Sequence, residues 1–316
     1  MNVLVPGGCG YVGAVLVPWL LAAGHKVTVF DAMWFGRGHL PADNGKLTVI
    51  KADVRDAKAF RNACANQESI IYLASLSNND MCEKEPDLAY AVNIEAMFDI
   101  PRIAADAGVK RFIYASSVAG YSSSDTPSKE SAVLWTPTPY AAGKACAEGS
   151  LRDQHPGWTM VRSASVCGPS ARMRFDTTVN MMTHDAMRRG VITVNGGAQK
   201  RSHIHIQDLC DFYRLLLDVG ADRISSQVFN VVRENSTVLD SAQLVADVTG
   251  ARIEVRERTD MRSYMVDGTK ARELLGFVPG RTISRAVVDM KARFDSGYWK
   301  DSTTNPAYQN VVSGVL

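Results

Sequence analysis

The sequence lacks several features that would place a chain in a simple class. No apolar run approaches the roughly 20 residues that a membrane span needs. Its 35 basic and 33 acidic residues leave a formal net charge of +2, without the basic stripe that is typical of nucleic-acid binders. We therefore expect no membrane-embedded part and no nucleic-acid partner.

The six cysteines are scattered, and no two of them form a CxxC pair. This spacing argues against a disulfide framework or a zinc ribbon and is typical of reduced thiols. His203 and His205 alternate on a short predicted strand, but no third ligand has a suitable spacing, so we expect no metal. Met1-Asn2 leads directly into an apolar strand and leaves no room for a signal peptide, which favours a cytoplasmic protein.

The first two thirds of the chain alternate apolar strands with helical segments. The predicted strands are residues 3–5, 26–30, 47–50, 69–73, 111–116 and 158–162, and the clearest helices are 11–23, 88–107 and 139–154. Continuous apolar strands separated by helices indicate a parallel sheet that is covered on both faces. We predict an α/β fold with a Rossmann-type, doubly wound parallel sheet.

After Gly168-Pro169 the strands and helices become shorter and less regular, which predicts a smaller α+β C-terminal domain that binds the substrate. We expect the first domain to span residues 1–168, with 205–232 returning to it. The second domain would comprise 169–204 and 233–316. The polar tail, 298–316, is expected to lie over the second domain or over a partner subunit.

A glycine-rich turn follows the first strand. Gly7, Gly10 and Gly13 are spaced so that one permits the tight turn, one lets the backbone approach a pyrophosphate and one lets the next helix pack close to the sheet. The N-terminus of that helix would present free N–H groups to the phosphates. Asp31 would hydrogen-bond the adenosine ribose and repel a 2′-phosphate, which predicts NAD, and Asp53 would meet the adenine edge. The alternative is that the glycines only form a turn and Asp31 only caps a loop.

A second set of residues, Ser117, Tyr140 and Lys144, points to acid/base chemistry. A tyrosine that acts as a general base near neutral pH needs its pKa lowered from about 10. Lys144 lies one helical turn beyond Tyr140 on the same face, where its charge and that of an oxidised nicotinamide would favour the phenolate. Ser117 would bridge the substrate hydroxyl and the tyrosine. The alternative is a helix-start tyrosine, a solvated lysine and turn serines.

These residues resemble the extended short-chain dehydrogenase/reductases that act on nucleotide sugars, the NAD-dependent nucleotide-sugar epimerases and dehydratases. The resemblance extends over nearly the whole chain. It includes Gly7-x-x-Gly10-x-x-Gly13, Asp31, Asp53-Val54, Leu73-Ala74-Ser75, Val92-Asn93, Ser116-Ser117, Tyr140-x-x-x-Lys144, Arg162, Gly168-Pro169, Arg201 through Asp208, Phe229-Asn230-Val231 and Leu275-Gly276-Phe277. The further cofactor contacts that it implies are Tyr11, Val12, Val54, Leu73, Ala74, Ser75 and Asn93.

Within that family, residues 170–176 and the loop 34–36 are similar to a subgroup from surface-polysaccharide and capsule clusters, which includes sugar epimerases and a GDP-heptose 4-dehydrogenase. The resemblance implies that Tyr140 takes the proton of the sugar 4-hydroxyl while hydride passes from C4 to NAD. Relatives that dehydrate or decarboxylate the keto sugar carry acids at the positions of Val118 and Ala119, which cannot transfer protons here.

We therefore predict an epimerase that acts through a 4-keto intermediate. Net oxidation or reduction at C4 is the alternative within the same fold, and another acid could enter from the loop 77–83. A non-catalytic, NAD-binding sensor is the alternative from another class. Retention of Ser117, Tyr140 and Lys144 together favours an enzyme.

The substrate that the resemblance implies is a nucleotide-diphosphate sugar. Arg201 and Arg262 are candidates for its diphosphate, because the arginine fork pairs with phosphate oxygens in a bidentate way, and Asn180 matches the family position that touches these phosphates. The candidates for the sugar end are Ser75, Ser77, Asn78, Arg172 and Arg174. Each could instead be a surface arginine or a loop-capping residue. Relatives commonly dimerise through the two long helices, here 88–107 and 139–154, so a homodimer is expected.

Overall fold

The computed structural model describes residues 1–37, 39–42, 45–124, 126–257 and 263–310. Its strands are β1 (Asn2–Pro6), β2 (Lys26–Asp31), β3 (Leu47–Lys51), β4 (Ser69–Tyr72), β5 (Arg111–Ser117), β6 (Trp158–Ser163), β7 (Ser165–Cys167), β8 (Val191–Asn195), β9 (Lys200–His205), β10 (Gln227–Val231), β11 (Glu234–Thr237) and β12 (Arg252–Arg256). Its α-helices are α1 (Gly13–Ala22), α2 (Ala57–Cys64), α3 (Asn79–Lys84), α4 (Pro86–Tyr90), α5 (Ile100–Asp106), α6 (Pro139–Gln154), α7 (Thr178–Arg189), α8 (Ile206–Asp218), α9 (Ala221–Ile224), α10 (Val238–Thr249), α11 (Thr269–Leu275) and α12 (Ile283–Asp295).

Seven strands form one parallel sheet in the order β3-β2-β1-β4-β5-β6-β10. The predicted doubly wound α/β fold is therefore confirmed. The winding reverses between β1 and β4, which pair side by side. The loops that leave the carboxyl ends of these two strands diverge, and such a reversal opens a crevice that binds ligands in sheets of this type.

Alternate residues of the strands enter different hydrophobic cores. Val3 and Val5 of β1 belong to the core that α1 and α8 cover, whereas Leu4 belongs to the core that α2, α5 and α6 cover. Side chains alternate between the two faces of a strand. A strand that is buried on both faces therefore reads as one uninterrupted apolar run, as in the sequence.

The prediction of one continuous helix over 88–107 is wrong. The structure divides this segment into α4, a π-helical turn at Ala91–Glu95, a 3₁₀ turn at Ala96–Phe98 and α5. Pro101 has no N–H to offer the carbonyl of Met97 one turn earlier. That carbonyl accepts a hydrogen bond from the Ser150 hydroxyl of α6 instead, so the break is stabilised by the neighbouring helix.

From β7 onward the chain builds a smaller layer from two short sheets, β11-β9-β7 and β12-β8, with α7, α10 and α12 packed on one another. Residues 297–310 fold back onto this layer. Trp299 is fully buried there against Phe175 and Phe294. Of the two positions expected for the tail, the described part lies over the substrate-side layer.

Across the described ranges, no helix has both the length and the apolar character that a membrane crossing requires.

Candidate active site

A cavity of about 610 Å³ opens where the loops after β1 and β4 diverge. Most of the residues that the sequence predicted for cofactor and substrate line it together. They are Gly7, Gly10, Tyr11, Val12, Gly13, Asp31, Asp53, Val54, Leu73, Ala74, Ser75, Ser77, Asn78, Ser117, Tyr140, Lys144, Arg172, Arg174 and Arg201. Asn93 and Asn180 lie behind this wall, and Arg262 lies outside the described residues.

Packing explains two glycines of the turn after β1. Gly7 has a φ of +80°, and a Cβ atom there would lie 2.5 Å from the backbone nitrogen of Ala74. A Cβ at Gly13 would lie 2.3 Å from the carbonyl oxygen of Gly8. Any side chain at either position would push the turn away from β4 or push α1 away from the turn. Glycine at these positions therefore sets the shape of the cavity floor.

The two acidic residues expected at the adenosine end both have partners within the chain. Asp31 accepts hydrogen bonds from the backbone N–H groups of Cys9, at 2.9 Å, and Met33, at 2.7 Å. Burial raises the pKa of its carboxyl despite these bonds. Partial burial acts in the same direction on Asp53, but the bidentate hydrogen bonds from Arg55 outweigh it and lower that pKa. Asp31 thus holds the glycine turn in place, in the loop-capping manner that the sequence analysis gave as the alternative to ribose binding.

Arg172, which the sequence analysis gave as a candidate for the sugar end, lies against Phe35 and within range of the charges of Arg174, Asp176 and Asp31. Its guanidinium carbon lies 3.7 Å from the centroid of the Phe35 ring, and the side chain is 3% exposed. Its Nε and one terminal nitrogen are buried and donate to no atom of the described residues. Burial, together with the charge of Arg174, lowers the pKa of Arg172, whereas the charge of Asp31 acts to raise it. A buried cation with unpaired donors is unfavourable unless a ligand supplies acceptors.

The glycine turn and Arg172 fit the diphosphate of NAD. A Cβ at Gly10 would approach only the carbonyl oxygen of Gly7, at 3.2 Å, so the turn is open toward the cavity. Within the described part of the chain, the amides of Tyr11 and Val12 have no acceptor, and α1 has no side-chain cap. Free amides at a helix N-terminus and the donors of Arg172 are the groups that bind phosphate oxygens. When bound there, NAD supplies a nicotinamide ring that accepts or returns a hydride.

Tyr140 and Lys144 lie one turn apart on α6, which begins at Pro139 behind the cap of Thr138. The Lys144 Nζ donates to the carbonyl of Ala115, at 2.8 Å, and lies 5.8 Å from the centroid of the Tyr140 ring. Burial lowers the pKa of Lys144 to about 8. Burial also raises the pKa of Tyr140, and this outweighs the hydrogen bond with Ser117 and the charge of Arg174. The expected lowering of the tyrosine pKa is therefore not produced by the chain alone; the charge of an oxidised nicotinamide would act in that direction.

A buried polar network fixes α6 against the sheet. Glu148, one turn beyond Lys144, accepts two hydrogen bonds from Arg162 of β6, at 2.9 and 2.6 Å, and one from Ser116 of β5. Arg162 also donates to the Tyr121 hydroxyl at 2.8 Å. These groups are nearly fully buried and mutually satisfied, so they hold the catalytic helix at a fixed height above β5.

The sugar end of the cavity is formed by the loop after β4 and the segment after β7. Arg174 makes two hydrogen bonds of 2.9 Å with Asp176 and reaches the Ser77 hydroxyl at 3.1 Å. Asn78 donates to the same carboxylate at 2.7 Å and caps α3. Opposite charges therefore offset each other here, and the wall presents a dense set of hydrogen-bonding groups.

Two predicted ligand residues act within the protein instead of facing the cavity. The Asn93 amide oxygen accepts from the Ser75 hydroxyl at 3.0 Å and from the Leu76 N–H at 2.9 Å, which positions the loop after β4. Asn180 is fully buried; its amide accepts from the Gly168 N–H and donates to the Tyr11 hydroxyl and the Arg174 carbonyl. Both amides are used by these bonds, so neither is free for a phosphate.

The structure adds Tyr264 and Asn310 to the cavity, and the sequence analysis missed both. The Arg201 guanidinium carbon lies 5.4 Å from the centroid of the Tyr264 ring, and both side chains line the cavity. Asn310, from the tail, lines it as well. A lone tryptophan in an otherwise polar tail is the one sequence signal that could have indicated that this segment packs on the domain.

The chain is similar to known proteins over most of its length. The UDP-glucose 4-epimerase of Mycolicibacterium smegmatis is 26% identical over 306 residues, which cover 91% of this chain and 96% of that protein. The structure of DesIV, a dTDP-glucose 4,6-dehydratase from Streptomyces venezuelae crystallised with NAD, superposes with a TM-score of 0.84 at 24% identity, covering 95% of this chain and 99% of that one. The UDP-glucose 4-epimerase of Thermotoga maritima, crystallised with UDP-glucose, gives a TM-score of 0.81 at 23% identity, covering 94% and 100%.

The model of the NAD dependent epimerase/dehydratase family matches residues 3–231. The chain belongs to that family, and its cofactor is NAD.

Proposed function

We propose that the protein is an NAD-dependent nucleotide-sugar epimerase that acts through a 4-keto intermediate. The observation that carries the proposal is the convergence of Ser117, Tyr140 and Lys144 on one cavity wall, with Val118 and Ala119 next to the serine. The triad can remove a proton from a carbinol. Neither neighbour can transfer a proton to or from the keto sugar, so elimination of water lacks an acid at that position. Asp80 is the acid of the loop 77–83 that lines the cavity.

Each catalytic side chain has a definite role in this proposal. The Ser117 oxygen accepts a hydrogen bond from the Ala119 N–H at 3.1 Å. The hydroxyl hydrogen and the second lone pair of Ser117 remain for Tyr140 and the sugar 4-hydroxyl. Tyr140 takes the hydroxyl proton as hydride leaves C4, and it returns a proton when the carbonyl is reduced on the other face. Lys144, held by the Ala115 carbonyl, places a positive charge beneath the phenol and stabilises its deprotonated form.

The proposed substrate is a nucleotide-diphosphate sugar. Arg201, stacked beside Tyr264, is the proposed partner of its diphosphate, while Ser77, Asn78 and Arg174 surround the sugar. The relatives named above act on UDP-glucose or dTDP-glucose, which supports this substrate class. The similarity of residues 170–176 to the surface-polysaccharide subgroup suggests a sugar that is used in polysaccharide biosynthesis.

A nucleotide-sugar 4-dehydrogenase or 4-keto reductase is the second candidate. Epimerisation requires the 4-keto sugar to turn over within the cavity before hydride returns. The tail residue Asn310 donates a hydrogen bond to Ser77 at the proposed sugar end, so the sugar can turn only if these contacts are exchanged. A sugar that is held firmly on one face would be oxidised or reduced without inversion.

Proton NMR of the purified holoenzyme with UDP-, GDP-, CDP- and dTDP-sugars, without added cofactor, tests the proposal. A product of equal mass with one inverted carbon supports the epimerase. A 4-keto sugar that forms only when NAD is supplied supports the dehydrogenase. Tyr140→Phe should abolish turnover while NAD stays bound; if it leaves the protein's activity unchanged, the catalytic role of the triad is refuted.

We also propose a homodimer through the outer faces of α4, α5 and α6. Tyr90 and Phe98 on this surface are 54% and 52% exposed, although both are large and apolar. Such side chains are commonly covered at protein interfaces. Light scattering after gel filtration should give twice the chain mass, and Phe98→Asp should shift it toward the monomer. A monomeric wild type would refute the dimer.

A further inference from the structure

We propose that the C-terminal segment, residues 298–310, is part of the substrate site and that Asn310 binds a hydroxyl group of the sugar. The inference rests on the proposed function, because it assigns one more residue to the same nucleotide-sugar site. It gives a role to a tail that the sequence left without one.

The tail is anchored well before it reaches the cavity. Trp299 is fully buried, with its ring centroid 5.4 Å from that of Phe175 and 5.0 Å from that of Phe294. The Phe175 N–H donates to the Tyr308 carbonyl at 2.8 Å, and their rings lie 5.6 Å apart. Phe175 is adjacent to Asp176, which binds Arg174 in the cavity wall. These contacts direct the chain after Tyr308 toward the sugar end.

Asn310 is joined to the cavity wall by both its side chain and its backbone. Its Nδ2 donates to the Ser77 hydroxyl at 2.8 Å, and its carbonyl accepts from the Asn78 Nδ2 at 3.2 Å. The residue is 8% exposed and lines the cavity. Its Oδ1 is buried and accepts no hydrogen bond from any described residue. A buried amide oxygen in this state is unfavourable unless a ligand donates to it.

Ser77 offers a hydrogen-bond donor to the cavity, and Asn310 offers an acceptor beside it. The Ser77 oxygen accepts from Arg174 at 3.1 Å and from Asn310 at 2.8 Å, so its hydrogen is left to donate. The Asn310 Oδ1 is left to accept. A sugar hydroxyl is both donor and acceptor, and it would satisfy the two groups at once. The diphosphate diester of a nucleotide sugar has no hydrogen to donate at neutral pH and would satisfy only Ser77.

The position along the cavity also favours the sugar. Asn78, which binds the Asn310 carbonyl, caps α3, and α3 packs on α6, the helix that carries Tyr140, so Asn310 lies toward that tyrosine. Asp31, which is bound to the glycine turn through the Cys9 N–H, marks the end where adenosine is expected. The sugar is the part of a nucleotide sugar that must lie beside Tyr140, because that residue acts on a sugar hydroxyl.

The test measures binding by calorimetry in NAD-loaded Tyr140→Phe protein, in which turnover is blocked. The probes are UDP-glucose, UDP-galactose and GDP-mannose, with UDP and GDP as the matching nucleotides without sugar. Asn310→Ala should weaken binding of the nucleotide sugar roughly tenfold, the effect of one lost hydrogen bond of this kind, and leave nucleotide binding unchanged. Gln309→Ala, at the exposed neighbouring position, should change neither. Asn310→Asp keeps an acceptor oxygen but replaces the donor to Ser77 with a second acceptor, which takes the Ser77 hydrogen, so it should not restore the affinity.

Three outcomes overturn the inference. Unchanged affinity of Asn310→Ala for the nucleotide sugar removes the proposed contact. An equal loss for sugar and nucleotide, accompanied by a lower melting temperature, shows that Asn310 only holds the tail in place. Binding of UDP or GDP without binding of any nucleotide sugar by the parent protein refutes the proposed function itself, and the sugar contact with it.

Discussion

At the residue scale, the site consists of polar groups that still have unpaired hydrogen-bond donors or acceptors after the chain has folded. The amide of Asn180 matches a family position but is consumed inside the protein, whereas two buried nitrogens of Arg172 and the Oδ1 of Asn310 have no partner among the described residues. A sequence shows that an amide or guanidinium is present. Only the folded chain shows whether its donors and acceptors are still available to a ligand.

Arg172 provides the first prediction at this scale. Arg172→Met should weaken NAD binding roughly tenfold to a hundredfold, because hydrogen bonds to a charged group contribute about 1.5–3 kcal/mol. Calorimetric titration of NAD into stripped protein measures this directly. Arg189→Met is the matched control, since Arg189 is 58% exposed on α7 and far from the cavity wall. Equal NAD affinities of wild type and Arg172→Met would show that the guanidinium does not contact the cofactor.

Lys144 gives a prediction about pH. Its pKa is lowered from 10.5 to about 8 in the folded chain, so between these pH values the unfolded chain binds a proton that the folded chain has released. Linkage then requires this residue's contribution to the free energy of unfolding to rise as pH increases from about 8 to 10.5. The difference in unfolding free energy between wild type and Lys144→Met should shift in favour of the wild type across that window.

Urea denaturation at several pH values checks this expectation. Lys291→Met is a suitable control, because Lys291 is exposed and paired only with Asp295 in the described chain. This variant measures the effect of removing a lysine outside the buried network at each pH. A difference for Lys144→Met that stays constant with pH would mean that the buried lysine keeps its ordinary pKa.

At the element scale, α6 carries both the proposed catalytic residues and one partner of a buried ion pair. Its first turn carries Tyr140 and Lys144, and its second half carries Glu148, which is bound by Arg162 and Ser116. Sequence periodicity predicted this helix with the bounds that the structure has. It could not predict the ion pair, because Glu148 and Arg162 meet only when α6 crosses the sheet. The helix 88–107 shows the opposite case, since one proline and a hydroxyl from α6 interrupt a pattern that otherwise reads as continuous.

Glu148→Gln should therefore destabilise the fold by about 3 kcal/mol or more, because it leaves the charge of Arg162 buried without a counter-ion. Urea denaturation measures the free energy of unfolding. Asp295→Asn removes an acid from the exposed Lys291 pair and should cost less than about 1 kcal/mol. A similar small effect for both variants would show that water replaces the carboxylate in the network.

At the scale of the whole molecule, the tail joins the far end of the chain to the catalytic cavity. Trp299→Ala should lower the free energy of unfolding by about 3–5 kcal/mol, as expected for the loss of a fully buried large side chain. Tyr298→Ala is the neighbouring control, because Tyr298 is 52% exposed. Comparable losses in urea denaturation would mean that the tail is bound less firmly than the burial of Trp299 indicates.

The sequence by itself determined the fold class and the NAD cofactor, and it predicted Ser117, Tyr140 and Lys144 as the catalytic residues. These features depend on local spacing: apolar runs form strands, glycines permit one tight turn, and residues four apart share a helix face. Most of the predicted ligand residues follow the carboxyl ends of strands, so a parallel sheet was enough to bring them together.

The tertiary structure alone decided which of those residues face the cavity and which distant segments complete it. The side-chain amides of Asn93 and Asn180 form hydrogen bonds within the cavity walls. Burial raises the pKa of Tyr140, and residue spacing in the sequence does not show that burial. Asn310 reaches Ser77 across 233 positions of the chain. Long-range packing of Trp299 on Phe175 brings it there, and such packing leaves no periodic signal in the sequence.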